Sequence, residues 1–303
     1  MKSTRSEFWR ANIYMHLSIL LWGITAPIGK SLQLSEGVLV WYRLILVSVS
    51  LGISLFISRK SLRIPLPDLI RMAGIGVLLM IHWLFFYGAI KYSNVSITLS
   101  TFSSTALFTA ILEPLVWRQK IKREELFFGL ITILGIGVIF HAETGYALGI
   151  FLSLMATFVG SFFNILNRQV VQQYDAEVIS FVELFSGLLF LTLILPLYIY
   201  LLDVQKIWPD NREWGLLLIL AVLCTHVTVV LSLKALRHLS AFTLNLAINL
   251  EPVYGIALAF LLFQEDKMLH TGFYIGSGIV FLTVLVHALY SYHCQKQINH
   301  ASN

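Results

Sequence analysis

The chain has 303 residues, 57% of them hydrophobic and 12% charged, with a mean hydropathy of +0.80. Soluble domains carry about twice that charged fraction, and here charge is missing over long runs, which excludes a soluble globular protein and describes a polytopic membrane protein. The net charge of +5 does not indicate nucleic acid, because the basic residues sit in short clusters between apolar runs, where they set orientation in a bilayer.

Residues 1–30 combine a basic start with an apolar run but lack a small-residue cleavage site, which reads as a retained first span rather than a signal peptide. Ten apolar segments of about the 20 residues a bilayer requires can be counted, near 12–31, 37–57, 69–90, 95–117, 125–142, 147–167, 178–201, 214–236, 241–263 and 271–291. The predicted fold class is therefore an all-α polytopic membrane protein with ten transmembrane helices. With a cytoplasmic N-terminus, the inner side collects the clusters around Arg5, Arg59, Lys120, Arg168 and Arg237, while the outer side receives Lys30, Lys91, Lys206, Arg212 and Lys267. This bias predicts a cell (inner) membrane protein with both tails, 1–11 and 292–303, in the cytoplasm. Trp9, Trp41, Trp117, Trp208 and Trp214 fall near predicted interfaces, whereas Trp22 and Trp83 fall mid-span and suggest an aromatic-lined interior.

The second span contains Arg43, several residues inside the lipid. It is expected either to snorkel to the outer headgroups or to meet a substrate carboxylate. The third span carries His82, Trp83 and Tyr87, the last two sharing a helix face. In the fourth, Thr98, Thr101, Thr105, Thr109 and Glu113 are spaced to fall on one face. They either line a wet cavity or support close helix packing, each hydroxyl bonding back to its own helix. Glu113 lies near a basic loop and could pair with Arg118 or Lys120. Near the end of the sixth span, Asn164, Asn167 and Arg168 read as a polar helix terminus rather than a site. Glu183 lies in the seventh span, and Thr225, His226 and Thr228 in the eighth. His82 and His226 can change protonation near neutral pH, so each is a candidate proton group or a hydrogen-bonded structural residue. Glu183 and Arg43 are expected at opposite depths and so not to form a salt bridge.

Residues 244–266, LNLAINLEPVYGIALAFLLFQED, are apolar enough for lipid yet carry Asn245, Asn249 and Glu251, followed by Pro252. Polar groups at membrane depth are costly and often mark a substrate or ion path. Pro252, with no N–H, is expected to loosen the helix beside the carboxylate. A proline-kinked packing helix is the alternative. The two cysteines, Cys224 and Cys294, fit no metal or redox spacing, and one lies in a span and the other in the tail, so no disulfide is expected. No phosphate loop, zinc ligand set or nucleophile elbow is present, so neither a cofactor nor a metal is expected. Gly145/Gly149 and Gly272/Gly276 have a spacing that permits close helix contact, and they leave open a homodimer.

The chain also repeats itself. STALFTAILEPLVWRQKIK at 104–122 aligns with LEPVYGIALAFLLFQEDKM at 250–268, and AIKYSNVS at 89–96 with ALRHLSAF at 235–242. Five spans per half make the second half enter from the opposite side, an inverted repeat frequent in secondary transporters, with the site between the halves. Taken with Trp22-Gly23, Pro27 and Lys30 in the first span, the stretch NLEPVYGIALAFLLFQE resembles the EamA family of the drug/metabolite transporter superfamily from about 12 to 291. The first half departs at the matching position, where Thr105 stands and its own Leu112-Glu113-Pro114 follows eight residues later. The resemblance implies two five-helix repeats, 12–142 and 147–291, and a secondary transporter exporting small amphipathic metabolites such as amino acids. On that basis the expected substrate-binding residues are Trp22, His82, Trp83, Tyr87, Thr101, Thr105, His226, Asn245, Asn249 and Tyr254, and Arg43 would take a substrate carboxylate. Glu251, Glu113, His82 and His226 are the candidates for proton coupling. The expected partners are a small-molecule metabolite and membrane lipid. An intramembrane lipid-modifying enzyme is disfavoured, because the histidines and carboxylates are spread over different helices. A carrier of nucleotide sugars or sugar phosphates is disfavoured because the interior offers one certain cation, Arg43, where a phosphate would want several.

Overall fold

A computed structural model of the chain describes residues 5–118, 123–239, 247–248 and 250–301. Lipid offers no partner for backbone polar groups, so an apolar chain at membrane depth must satisfy them internally as helix, and the described elements are helical. The chain runs through α1 (Arg5–Gly23), α2 (Thr25–Ser31), α3 (Glu36–Ser58), α4 (Leu66–Tyr92), α5 (Val95–Phe102), α6 (Thr105–Val116), α7 (Arg123–Ala142) and α8 (Ala147–Val170). It continues through α9 (Ala176–Leu201), α10 (Asn211–Ala221), a π-helical turn (Val222–Val227), α11 (Thr228–Leu236), α12 (Glu251–Phe263) and α13 (Thr271–Ala301). Among the described residues six helical stretches are long and apolar enough to cross a membrane, and α5 with α6 makes a seventh candidate bent by 43°. Phe127–Ala142, Glu251–Phe263 and Thr271–His287 are shorter apolar helices.

Side-chain contacts gather the turns onto two opposite faces. On the lower face Lys60 pairs with Asp175 at 2.7 Å and with Glu177 at 3.0 Å, Tyr174 bonds Asp68, and Arg237 reaches the carbonyl of Val171 at 3.2 Å. On the upper face three buried carboxylates tie distant segments together. Glu265, fully buried, accepts from Lys30 at 2.6 Å and from the backbone N–H groups of Val95 at 3.1 Å and Ser96 at 2.8 Å. Glu213 accepts from the backbone of Gln33 and from Lys206, each at 2.8 Å, and Glu143 accepts from the backbone of His270 at 2.8 Å.

Helix ends carry their own signals. Asn94 caps α5, Asp175 caps α9, and Asp210 with Glu213 forms a reciprocal capping box on α10, each satisfying N–H groups that the first helical turn leaves open. Pro252 falls in the first turn of α12, where a missing N–H costs nothing. The expected proline-loosened helix is therefore corrected to a helix start.

Large apolar side chains such as Leu193, 80% exposed, cover the outside, others such as Tyr87 and Phe273 fill the interior, and glycines mark the closest helix crossings. Without a hydrophobic force between helices in lipid, close backbone approach supplies the packing. A Cβ on Gly76 of α4 would lie 1.9 Å from the carbonyl oxygen of Glu183 on α9, and one on Gly187 would lie 3.0 Å from the carbonyl oxygen of Gly76. Gly272 and Gly276 press α13 onto Ala142 and Gly135 of α7, so this pair serves packing within the chain. Gly149 meets Ser93, and Gly145 has open space around it.

Two outcomes follow for stability. Gly76→Ala forces α4 and α9 apart and costs about 1–3 kcal/mol, read as a lower melting temperature in detergent, whereas Gly74→Ala, with nothing within 4 Å, leaves it unchanged or raises it slightly, as Ala does in an open helix position. The backbone N–H of Glu213, assisted by Lys206, holds the Asp210 carboxyl below its ordinary range. A group depressed on folding stabilises above its unfolded value, near pH 4, and that contribution drains away as pH falls through the folded value. The melting temperature of the wild type should therefore drop more steeply below about pH 4 than that of Asp210→Asn, which keeps the cap without the titration.

Candidate functional site

Several helices are interrupted within their length, and the interruptions surround one cavity of about 110 Å³. The turn at Ile24 separates α1 from α2, the turn at Ser103–Ser104 separates α5 from α6, the π turn divides α10 from α11, and α12 starts at Glu251. Thr25, Phe102, Thr105 and Glu251, which flank these breaks, all line the cavity. The lining reaches the lower ends of α8 and α11 at Asn167 and Leu236 and stops at Phe86, six residues short of the upper end of α4, about 9 Å.

Arg43 is the polar centre. Its side chain is 3% exposed, so the expectation that it snorkels is overturned: the local partners are better than the headgroups. Nε donates to the Thr225 hydroxyl at 2.8 Å and Nη1 to the Tyr87 hydroxyl at 2.8 Å, and the guanidinium lies 3.8 Å from the centre of the Trp83 ring. A desolvated cation over an indole face gains about 2 kcal/mol or more. Thr225 is available because it lies on the π turn, where its hydroxyl in turn donates to the carbonyl of Leu220, five residues back, at 2.7 Å. Gly29 leaves room for the Tyr87 ring, since a Cβ there would come within 2.3 Å of it.

His82 lies beside this centre. Its Nδ1 is 2.8 Å from the carbonyl of Ala156; a carbonyl only accepts, so Nδ1 carries the hydrogen and Nε2 is left among Phe86, Phe102 and Phe163, with ring centres 5.8–6.1 Å away. Gly160 of α8 gives it space, a Cβ there falling 2.9 Å from Nδ1.

Of the residues expected from the sequence, Trp22, His82, Trp83, Thr105, Arg43 and Glu251 line this one cavity, and Tyr87 adjoins it through Arg43. Others lie apart. His226 is outside the cavity lining and contacts Ser50 at 2.6 Å, two helical turns along α3 from Arg43. Tyr254 is 37% exposed and packs over Gly23. Glu113 bonds Arg168 of α8 on the lower face; Lys120, the other partner considered with Arg118, lies outside the described residues. The threonine run is bent by 43° between α5 and α6, and of its five members Thr105 lines the cavity. Thr105 and Thr109 bond back to Phe102 and Thr105, and Thr101 is buried beside them without a partner. Asn245 and Asn249 lie outside the described residues.

Three further residues, absent from the expected binding set, contribute. Asn164 and Asn167, read from the sequence as a polar helix end, line the cavity, while their neighbour Arg168 turns away to Glu113. Glu183, 1% exposed, lines it too, its Oε2 accepting from Asn167 Nδ2 at 3.2 Å. The signal was available: a carboxylate and a carboxamide deep in apolar sequence are costly unless they face something polar. Among the described residues no group of three or more His, Cys, Asp or Glu could hold a metal ion.

If the Arg43 cage holds as described, Tyr87→Phe, which deletes one acceptor from a buried guanidinium, costs about 1.5–3 kcal/mol. Gly29→Ala should act in the same direction by displacing the Tyr87 ring. Thermal unfolding of the purified protein in detergent checks both.

Comparison with known proteins finds two matches to the model of the EamA-like transporter family, over residues 9–141 and 147–289. An uncharacterized transporter of Clostridium kluyveri is 22% identical over 251 residues, covering 79% of this chain and 77% of that one. A protein of known crystal structure shares the fold with a TM-score of 0.64 at 17% identity, over 96% of this chain and 99% of the other.

Proposed function

The chain belongs to the EamA-like transporter family, and we propose that this membrane transporter is a secondary carrier that exports small amphipathic metabolites such as amino acids. In this reading ten spans form two inverted halves, 12–142 and 147–291, with the lower face and both tails cytoplasmic. The observation that carries the proposal is a cavity walled by both halves: Trp22, Arg43, His82 and Trp83 from the first, Asn167, Glu183 and Glu251 from the second.

The chemistry suits an amphipathic solute. Aromatic rings offer an apolar wall, Arg43 offers charge to a carboxylate, and the asparagines offer both donors and acceptors. The substrate enters from the lower face, where the lining reaches the helix ends, and the halves then rock about it to expose it above. The ties of Glu265 and Glu213 on the upper face join one half to the other and must open in that step, while Glu143 holds the connection between the halves to the second. Glu251, on the second half and buried in the cavity wall, is the carboxylate assigned to carry a coupling proton. A phosphate-bearing substrate is less well served, since Arg43 is the Arg or Lys lining the cavity among the described residues. Tyr254, His226 and Glu113 have no direct contact with substrate in this scheme.

Flux in proteoliposomes tests it. Counterflow of amino acids should be present in the wild type, should respond to an imposed pH gradient, and should lose that response in Glu251→Gln while the folded protein is retained. Turnover of lipid without solute movement would instead indicate an enzyme.

A further inference from the structure

Glu183 and Asn167 leave two oxygens unpaired. Glu183 Oε2 accepts from Asn167 Nδ2, but Glu183 Oε1 and Asn167 Oδ1 are buried and have no hydrogen-bond partner. Both residues are more than nine-tenths buried, and both line the cavity. The amide orientation is fixed by the carboxylate, since turning it would set one acceptor against another. A buried acceptor left without a donor costs about 1–3 kcal/mol, and native structures leave few of them unexplained. A single proton on Glu183 would only pair the two side chains with each other, and it would leave the wall without a charge for a ligand. A group with several N–H donors and a positive charge fills both.

The position of the pair narrows the ligand. Glu183 sits level with Gly76 on α4, whose Cβ position abuts its backbone, whereas Arg43 sits level with Trp83. Seven helical residues separate the two levels, about 10 Å at 1.5 Å per residue. The cavity therefore has a cationic pole above and an acceptor pole below. An α-ammonium and an α-carboxylate on the same carbon cannot occupy both. A solute with about five carbons between its carboxylate and its ammonium, plus a hydrogen bond at each end, covers the distance.

We propose that Glu183 and Asn167 form a subsite for the distal primary ammonium of an elongated solute whose carboxylate lies toward Arg43, the chemistry of a basic α-amino acid or an ω-amino acid. The proposal rests on the carrier reading above and specifies its substrate class. Ammonium N–H groups donate to Glu183 Oε1 and Asn167 Oδ1, the carboxylate supplies the counter-charge, and the stem lies along the aromatic wall. Lys60, Asp175 and Glu177 lie nearby on the lower face but are engaged with one another.

Binding to the purified full-length protein in detergent, by equilibrium competition and by thermal shift, tests this with four probes: lysine, ε-aminocaproate, norleucine and Nε-acetyllysine. Lysine and ε-aminocaproate should bind the wild type about ten- to a hundredfold more tightly than norleucine and Nε-acetyllysine, the range for one charge-assisted bonded group. Glu183→Gln should erase that preference while leaving norleucine unaffected. Asn167→Leu should reduce it in the same direction, and it carries the test if Glu183→Gln does not fold. The proposal is overturned if lysine binds the wild type no better than norleucine, including the case in which neither binds, or if the preference survives both substitutions. It is also overturned if Glu183→Gln alters only the pH dependence of flux, since Glu183 would then take a proton. Flux of any solute by the wild type without the lysine preference rejects this subsite and leaves the carrier reading standing; absence of all flux rejects the carrier reading itself.

Discussion

Burying Arg43 is the constraint around which the interior is arranged. A guanidinium at membrane depth is expensive, and it is tolerated here because three side chains surround it. Tyr87 and Trp83 come from α4 and Thr225 from the π turn. Tyr87 in turn needs the missing side chain at Gly29, and Thr225 needs the π geometry that lets its hydroxyl reach Leu220. Had Arg43 snorkelled to a headgroup, neither the bulge nor the glycine would have a purpose in the packing.

The same logic accounts for where the helices break. Unbroken helices hide their backbone, which is what lipid demands; interruptions are affordable where the freed groups face protein or a polar cavity. Four of them fall around the cavity, and side chains beside each line it or hold what does. Breaks, buried charge and cavity are thus one arrangement. The π turn fits the wider tendency of such bulges to occur at functional sites.

Polarity is distributed along the cavity rather than concentrated. Arg43 lies toward the upper face and Glu183 toward the lower, and the close crossing of Gly76 and Gly187 keeps α9 pressed against α4 at the depth of Glu183. Outside the cavity, buried carboxylates on the upper face bind segments that are far apart in sequence, as Glu265 does for Lys30 and Ser96. Each such bond is local and individually modest, so a set of them can hold one arrangement of the halves without fixing it permanently.

Much of this was legible in the residues alone. Long apolar runs specify helices because lipid permits little else, and the cost of intramembrane polar groups singled out Arg43, His82 and Glu251 before any fold was known. The mid-span tryptophans 22 and 83 signalled an aromatic interior because belt tryptophans belong at interfaces. What a sequence lacks is rotation and depth across different helices. Spacing placed five polar residues of the fourth span on one face, but the 43° bend between α5 and α6 is a tertiary outcome, and of the five Thr105 lines the cavity. Pro252 read as a kink until the chain before it proved to turn, making it a helix start. Asn167 resembled an ordinary helix terminus, and Glu183 had no visible partner, because the contact joining them depends on how α8 and α9 meet. Composition and periodicity thus determined an all-helical membrane chain with costly polar groups inside. Only the crossing of helices, set by glycines that let backbones touch, decided which of those groups share a cavity.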